Sequence, residues 1–419
     1  MKILDFLKGK ENIDKLIEKL QNPVEEKRDE AIKKLSEMQL TVTEGIRVLE
    51  ASKKQFPPSK FDWRDISSDL IKICADKPYL EYISKIENIY EELNPKGKIA
   101  ALNFLASYEN EQALILYLKL IEKDYKKLIS LPVGSLISSP RNGDILFPRL
   151  LKLADNKDIT VDIYMIILTY FDNGLINEGQ LKGSKVMIVN DIVDIAHRLI
   201  DYKFNEDDIS FWNDDEYLEL RYTAGVYLDL AGYIDSAEVI LALRSLMKIK
   251  DMKLKMFAAV SFIRLGETIS SEDGLEISAD SESRNWFYQN LQRLGKIELF
   301  PEKYKNQKAF AESNMVDWLI YPTELGRVPD EIELMNVFDT EEEEYYLFRF
   351  KSIEAFEEEG WMAGVSGPYD KNEKPTTLSG GYTFSHFEKW DSKTPEEHFN
   401  GIVDNISEWW MKKAEELES

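Results

Sequence analysis

Few side chains in this 419-residue sequence have the types and spacing that nucleophilic chemistry needs. Ser385 and His386 are adjacent, but a serine nucleophile and its histidine base must meet in space with an orienting acid. Neighbouring residues on a strand point to opposite faces of the sheet. Ser366 lies in Gly-Val-Ser-Gly, which lacks the spacing of the G-x-S-x-G turn. The sequence therefore argues against a serine hydrolase.

Residue types that bind metals are scarce or uninformative. The chain holds three histidines and one cysteine, Cys74, which lies in an apolar helical segment and can form no disulfide within the chain. The acidic stretch 204–220 lacks the glycine and the alternating oxygen ligands of an EF-hand loop, and carboxylates are typical of helix N-termini. We therefore expect neither a metal nor a cofactor.

The remaining candidates for a binding site lie near the C-terminus. We predict that the following residues contact a protein partner: Arg327, Glu341, Glu342, Glu343, Glu344, Trp361, Tyr369 and His386. Aromatic residues such as Trp361 and Tyr369 also suit a small hydrophobic core, which is the more common place for them.

Charge limits the kind of partner. The chain carries 77 acidic and 53 basic side chains, a net charge of −24, and residues 301–419 alone hold 27 acids against 12 bases. Nucleic acids and anionic membranes require clustered Lys and Arg, so both are disfavoured. Acidic runs such as Glu341–Glu344 usually keep a surface hydrated, and alternatively they attract a basic protein.

The elements that position these residues are mainly helical. Thr223–Gly232 and Phe257–Gly266 align without a gap at an offset of 34 residues, which is typical of helical-hairpin repeats. Ala258 and Ala259 are small enough for a helix–helix contact, and the final glycine of each segment predicts a left-handed helix end. Asp235 is predicted to cap the helix between the two segments.

The repeat predicts a helical region over residues 1–320, in which stacked hairpins bury their apolar faces together. It resembles HEAT repeats, whose first helix is rich in alanine and ends in Leu-Gly. A tetratricopeptide-like repeat and an irregular helical bundle are the alternatives. The polar residues 270–280 predict a loop, with a helix resuming near Ser281.

Beyond residue 320 the hydrophobic period changes from helical to alternating. Strands are predicted at Tyr345–Glu354, Gly360–Tyr369 and Tyr382–Trp390, followed by a helix capped by Thr394. This order predicts a small α+β domain, residues 321–419, with a helix across one face of an antiparallel sheet. Its segments ELGRVPDEIEL, GWMAGVSGPY and TFSHFEKWDSKTPEEH resemble the C-terminal module of uncharacterised bacterial HEAT-repeat proteins, a resemblance that implies an architecture and no activity.

These observations favour a non-catalytic scaffold or adaptor, in the manner of an immunity protein, that binds a basic bacterial protein. The alternative is an enzyme or enzyme accessory with a pocket between the helical region and the C-terminal domain, lined by Trp361 and His386. No segment has the apolar length of a signal peptide or a membrane helix, so we expect a cytoplasmic protein.

Overall fold

The computed structural model describes residues 12–61, 63–128, 130–203, 211–320, 325–352, 360–380 and 383–418, with the backbone alone at residues 211, 385–387, 409–410 and 413–418. The chain folds as two compact units, the N-terminal unit (Met1–Val186) and the C-terminal unit (Met187–Ser419). The described chain is mostly helical, with a four-stranded antiparallel sheet near its end. The predicted fold class, mostly α with a small α+β part, is therefore confirmed.

Helices of the N-terminal unit pack as two alternating series. They are α1 (Ile13–Lys19), α2 (Glu25–Ser36), α3 (Val42–Ala51), α4 (Ile66–Ala75), α5 (Leu80–Ile89), α6 (Pro95–Ser107), α7 (Glu111–Asp124), α8 (Gly134–Ser138), α9 (Gly143–Leu146) and α10 (Lys157–Asp172). The even-numbered helices contact one another in turn, and so do the odd-numbered ones. Such alternation is the packing of stacked helical hairpins, in which each hairpin buries its apolar face against its neighbours.

The C-terminal unit continues with longer helices. They are α11 (Lys185–Asp201), α12 (Asp215–Ala231), α13 (Ala237–Ser245), α14 (Met252–Arg264), α15 (Ser271–Ala279), α16 (Arg284–Arg293), α17 (Gln307–Ile320) and α18 (Pro395–Glu418). Helices α12, α14, α16 and α17 contact one another in turn, while α13 and α15 both pack against α14.

Helix α15 occupies the stretch that the sequence predicts as a loop. The Ser270 side chain accepts a hydrogen bond from the backbone N–H of Asp273 and so caps this helix. Ile277 is the one fully buried large apolar side chain of α15. A single buried apolar residue leaves too weak a period for a helix to be recognised.

The two segments of the predicted repeat form the C-terminal halves of α12 and α14, which contact each other. Ala258 and Ala259 are fully buried, as their small size predicts. The type of repeat, HEAT-like or tetratricopeptide-like, stays a prediction.

The glycines that end these segments differ from each other. Gly266 has a φ of +89°, the left-handed conformation that the sequence predicts. Gly232 has a φ of −64°, so the left-handed end predicted there is wrong. Close approach requires glycine instead, since a Cβ at residue 232 would lie 2.9 Å from the Ser261 hydroxyl oxygen. The predicted cap at Asp235 is also displaced, because Ser236 is the residue that precedes α13.

The sheet contains four strands where the sequence predicts three. They are β1 (Glu331–Asp339), β2 (Glu343–Lys351), β3 (Met362–Asp370) and β4 (Phe384–Lys389), paired antiparallel in that order. Strands β2, β3 and β4 correspond to the predicted ones. Strand β1 was missed because a register shift between Leu334 and Asn336 interrupts its apolar alternation.

Both faces of the sheet are covered: α18 lies across one face, as the sequence predicts, and α17 covers the other. Met315 and Leu319 of α17 pack against one face, and Ile402 and Ile406 of α18 pack against the other. Residues 362–369 of β3 are consequently all buried. The small residues of β3 permit this, because a Cβ at Gly364 would lie 2.7 Å from the Met315 methyl group.

Helix α17 ends at Ile320, where the sequence predicts a domain boundary. The helix nevertheless shares a buried cluster with β2 and β3. The Gln307 side chain also exchanges hydrogen bonds of 2.8 and 2.9 Å with the backbone of Thr376. The compact C-terminal unit thus includes helices and sheet, and the division into domains 1–320 and 321–419 stays a prediction. Among the described residues, no helix is long and apolar enough to cross a membrane.

Candidate functional site

A cavity of about 950 Å³ opens within the C-terminal unit, and we call it the Trp286 cleft. Its aromatic lining residues are Trp212, Tyr222, Phe257, Trp286 and Trp318. Its charged lining residues are Arg221, Lys253, Glu282 and Asp317. Asn314, Ser379 and Thr383 supply neutral polar groups at the side nearest the sheet. Aromatic walls with a few converging polar groups are typical of a ligand-binding site.

Four helices supply these side chains from equivalent positions, which recur at a fixed spacing along the chain. Tyr222 of α12, Leu254 of α14, Trp286 of α16 and Trp318 of α17 follow one another at intervals of 32 residues. The residues that precede three of them, Arg221, Lys253 and Asp317, carry the charges of the cleft. Because α12, α14, α16 and α17 contact one another in turn, this spacing brings equivalent positions together.

Arg221 is the centre of a buried ion-pair network. Its Nε donates to Asp251 at 2.7 Å, and its terminal nitrogen donates to both carboxylate oxygens of Glu282 at 2.8 and 2.7 Å. The Tyr217 hydroxyl donates to Asp251 at 3.0 Å. Burial alone would lower the pKa of Arg221, but Asp251 and Glu282 raise it above its usual value. The guanidinium also lies over the Trp212 ring, 5.0 Å from its centre.

Lys253 is half-buried in the wall of the cleft. Its ammonium donates to the Glu282 backbone carbonyl at 3.2 Å and lies 4.7 Å from the centre of the Trp286 ring. Burial lowers the pKa of Lys253, while the carboxylates of Glu282 and Asp317 oppose the change. Two residues further along α14, Lys255 is buried against Asp273 at 2.8 Å and Glu276 at 2.5 Å, and its pKa is raised by them despite burial.

Asp317 and Glu282 are the carboxyls that line the cleft, and burial raises the pKa of both. Burial raises the pKa of Asp317 to about 6, although Lys253 and a hydrogen bond from Trp286 favour its ionised form. Among the residues that the structure describes, none forms a salt bridge with Asp317. At neutral pH this carboxylate is therefore ionised but incompletely compensated.

Trp318 follows Asp317 on α17 and also lines the cleft. Its ring packs against Phe384 of β4 with a distance of 5.7 Å between ring centres. Its indole N–H is buried and finds no hydrogen-bond acceptor in the described part of the chain. Buried donors are paired in most folded proteins, so this N–H is an exception among the described groups.

Tyr369, a predicted partner-binding residue, lies in a polar network behind the cleft. Its hydroxyl accepts a hydrogen bond from Asn314 at 2.7 Å and is 2.6 Å from the Ser366 hydroxyl oxygen. Burial raises the pKa of Tyr369 to about 12. The side chain is fully buried and so offers no surface to a partner.

Two other predicted residues contact side chains of the protein itself, and Trp361 is half-buried. Arg327 is 8% exposed, donates to Asn213 at 3.2 Å and lies 3.7 Å from Asp330. The Trp361 ring lies beneath the Arg349 guanidinium at 4.3 Å and the Lys351 ammonium at 5.1 Å.

His386 lies on β4 opposite Ala363, and its side chain is outside the described part of the structure, as is that of Ser385. Trp361 is not among the described residues that line the Trp286 cleft. The pocket lined by Trp361 and His386, as the enzyme alternative places it, stays a prediction.

The predicted acidic run divides into two parts. Glu341 and Glu342 are exposed in the turn between β1 and β2. Glu343 and Glu344 belong to β2, where they accept hydrogen bonds from Tyr345 at 3.1 Å and Tyr346 at 2.7 Å. Glu344 also pairs with Lys374. The turn therefore contains only the first two residues of the run, because strand β2 begins at Glu343.

Sequence reasoning missed every charged residue of the Trp286 cleft. The signal was present, since Arg221, Lys253 and Asp317 lie at multiples of 32 residues from one another. The alignment at an offset of 34 residues instead followed the small residues and glycines.

Within the described ranges, no group of three or more His, Cys, Asp or Glu side chains has a metal-binding arrangement. Comparison of the chain with models of protein families, with curated proteins and with solved structures finds no match. The resemblance to HEAT-repeat proteins therefore stays a prediction.

Proposed function

We propose that the protein is a non-catalytic interaction protein whose Trp286 cleft binds a segment of another protein. The observation that carries the proposal is a cleft of about 950 Å³ with five aromatic side chains and a carboxylate that lacks a salt bridge among the described residues. Tryptophan, tyrosine and arginine are the residues that dominate binding energy at protein interfaces. The net charge of −24 favours a basic partner, and we place the interaction in the cytoplasm.

The ion-pair network of Arg221 supports binding because it fixes the shape of the cleft wall. Arg221 joins α12 to Asp251, which precedes α14, and to Glu282, which precedes α16. A wall that is ordered before binding loses less entropy when a ligand arrives.

A test is selection of binding peptides from a displayed library by the full-length protein. Support requires peptides whose affinity falls at least tenfold, about 1.4 kcal/mol, with Trp286→Ala. Trp63→Ala is the matched control, because Trp63 is an exposed tryptophan of the N-terminal unit and should leave affinity unchanged. If no selected peptide depends on Trp286, or if both variants weaken binding equally, the proposal is wrong.

Catalysis is a second candidate, because Lys253 with a lowered pKa and Asp317 with a raised pKa face the same cleft. Titratable groups shifted in opposite directions are typical of acid–base sites. Turnover of a cell metabolite mixture, followed by mass spectrometry, should then be lost with Asp317→Asn and kept with Asp404→Asn, a change of an exposed carboxylate on α18. Identical metabolite profiles with and without the protein would reject this candidate.

A further inference from the structure

We infer, resting on the proposed function, that the Trp286 cleft takes an arginine or lysine of the bound segment. The cation lies against Asp317.

The balance of charge in the cleft carries the first half of the inference. The ionisable groups of the cleft and of its ion-pair network are Arg221, Lys253, Asp251, Glu282 and Asp317. Two cations face three carboxylates, so one negative charge remains when all are ionised. Arg221 is paired with Asp251 and Glu282, whereas Asp317 has the electrostatic attraction of Lys253 but no salt bridge among the described residues. A cation from the ligand would supply the missing partner for this carboxylate.

The aromatic surroundings favour an organic cation. Trp286 donates a hydrogen bond to Asp317 and offers its ring to the Lys253 ammonium, while Trp318 follows Asp317 on the same helix. Aromatic faces attract ammonium and guanidinium groups, and the attraction is stronger where water is excluded. The long alkyl stems of arginine and lysine also pack well on apolar walls.

Other charged groups around Asp317 set the pH dependence. Lys253 on α14 favours ionisation of Asp317, while Glu282 and Asp280, in the segment before α16, oppose it. Because Asp317 must be ionised to hold a cation, affinity should fall as the pH falls through about 6. Conversely, the bound cation should lower the pKa of Asp317.

The experiment uses four pools of blocked heptapeptides with uncharged flanking residues and a fixed central residue. The central residue is arginine, lysine, citrulline or norleucine, so that citrulline and norleucine remove the charge at similar length. Retention by the full-length protein is measured at several pH values between about 5 and 8. We expect the two cationic pools to be retained at least tenfold better above pH 7, and this preference to vanish near pH 5.

One variant tests the contact with Asp317. Asp317→Asn should abolish the preference for the cationic pools and leave the neutral pools unchanged. The pH series on the unmodified protein tests the contact between the cation and Asp317 without any substitution.

The outcomes distinguish this inference from the proposed function. Equal retention of the arginine and citrulline pools, in a manner that depends on Trp286, overturns the inference and leaves peptide binding in place. An arginine preference that survives Asp317→Asn also overturns it. If no pool is retained more by the parent than by Trp286→Ala, the proposed function itself fails.

Discussion

Asp317 shows what burial of one carboxyl costs the folded protein. Its folded pKa of about 6 lies above the value of 3.8 for an unperturbed Asp. The stability that this group contributes is therefore fully present below pH 3.8 and is lost as the pH rises through about 6. After allowance for partial exposure, ionisation costs about 2 kcal/mol.

Replacement of this carboxyl should stabilise the protein at neutral pH. We expect Asp317→Asn to raise the free energy of unfolding by about 2 kcal/mol above pH 7 and to change it little near pH 4, because asparagine does not ionise. Chemical denaturation at both pH values measures the difference. Asp404→Asn is the control, and a gain for Asp317→Asn that is independent of pH would contradict the assignment.

At the scale of elements, α14 is the most enclosed helix of the C-terminal unit. It contacts α12, α13, α15 and α16, and Ala259 lies fully buried in a cluster with Phe287 and Phe310. Small residues on α14 therefore set how closely its neighbours approach.

Enlarging this contact should destabilise the helical packing. We expect Ala259→Leu to lower the free energy of unfolding by about 1–3 kcal/mol, because the added methyl groups overpack the cluster. Ala237→Leu, at an exposed position of α13, should stay within about 0.5 kcal/mol of the parent. Thermal melting of both variants checks this, and equal melting temperatures would show that α14 has space at residue 259.

At the scale of the molecule, helices and sheet of the C-terminal unit pack into one compact unit. Helix α17 contributes Phe310 to the helical cluster and Met315 to the cluster on the sheet. A chain that ends at residue 320 would expose the side of α17 around Met315 that packs on the sheet.

We therefore expect residues 187–419 to unfold in one cooperative transition and residues 1–320 to lose protection in α17. Hydrogen exchange of both fragments, compared with the full chain, measures the protection of backbone amides. Full protection of α17 in residues 1–320 would instead support the domain boundary predicted from the sequence.

Net charge acts over the whole molecule by steering encounters with a partner. Once a partner has been identified, Glu341→Gln with Glu342→Gln should slow its association and reduce the salt dependence, with little effect on dissociation or melting. Glu344→Gln is a different test, since its pairing with Lys374 and Tyr346 makes a loss of stability the expected result. Binding kinetics at several salt concentrations measure the association rate. A rate that is unchanged by salt and by the two substitutions would contradict the steering role.

Local patterns in the sequence determined much of the fold. The helical period, the small residues at Ala258 and Ala259, the alternation in β2 to β4 and the cap before α18 are visible without a structure, because each arises from neighbouring residues. Strand β1 and helix α15 were missed where a register shift or a scarcity of buried apolar residues weakened the local period.

The Trp286 cleft was decided by tertiary structure. The sequence contains Arg221, Lys253 and Asp317 at multiples of 32 residues, yet 77 acidic and 53 basic side chains make any such spacing easy to find. Only the packing of successive helices buries Arg221 between two carboxylates and leaves Asp317 without a salt bridge from the described residues. Burial and pairing depend on atoms distant in sequence. The raised pKa of Asp317 and the lack of a described acceptor for the buried Trp318 N–H therefore follow from the fold and from no local pattern.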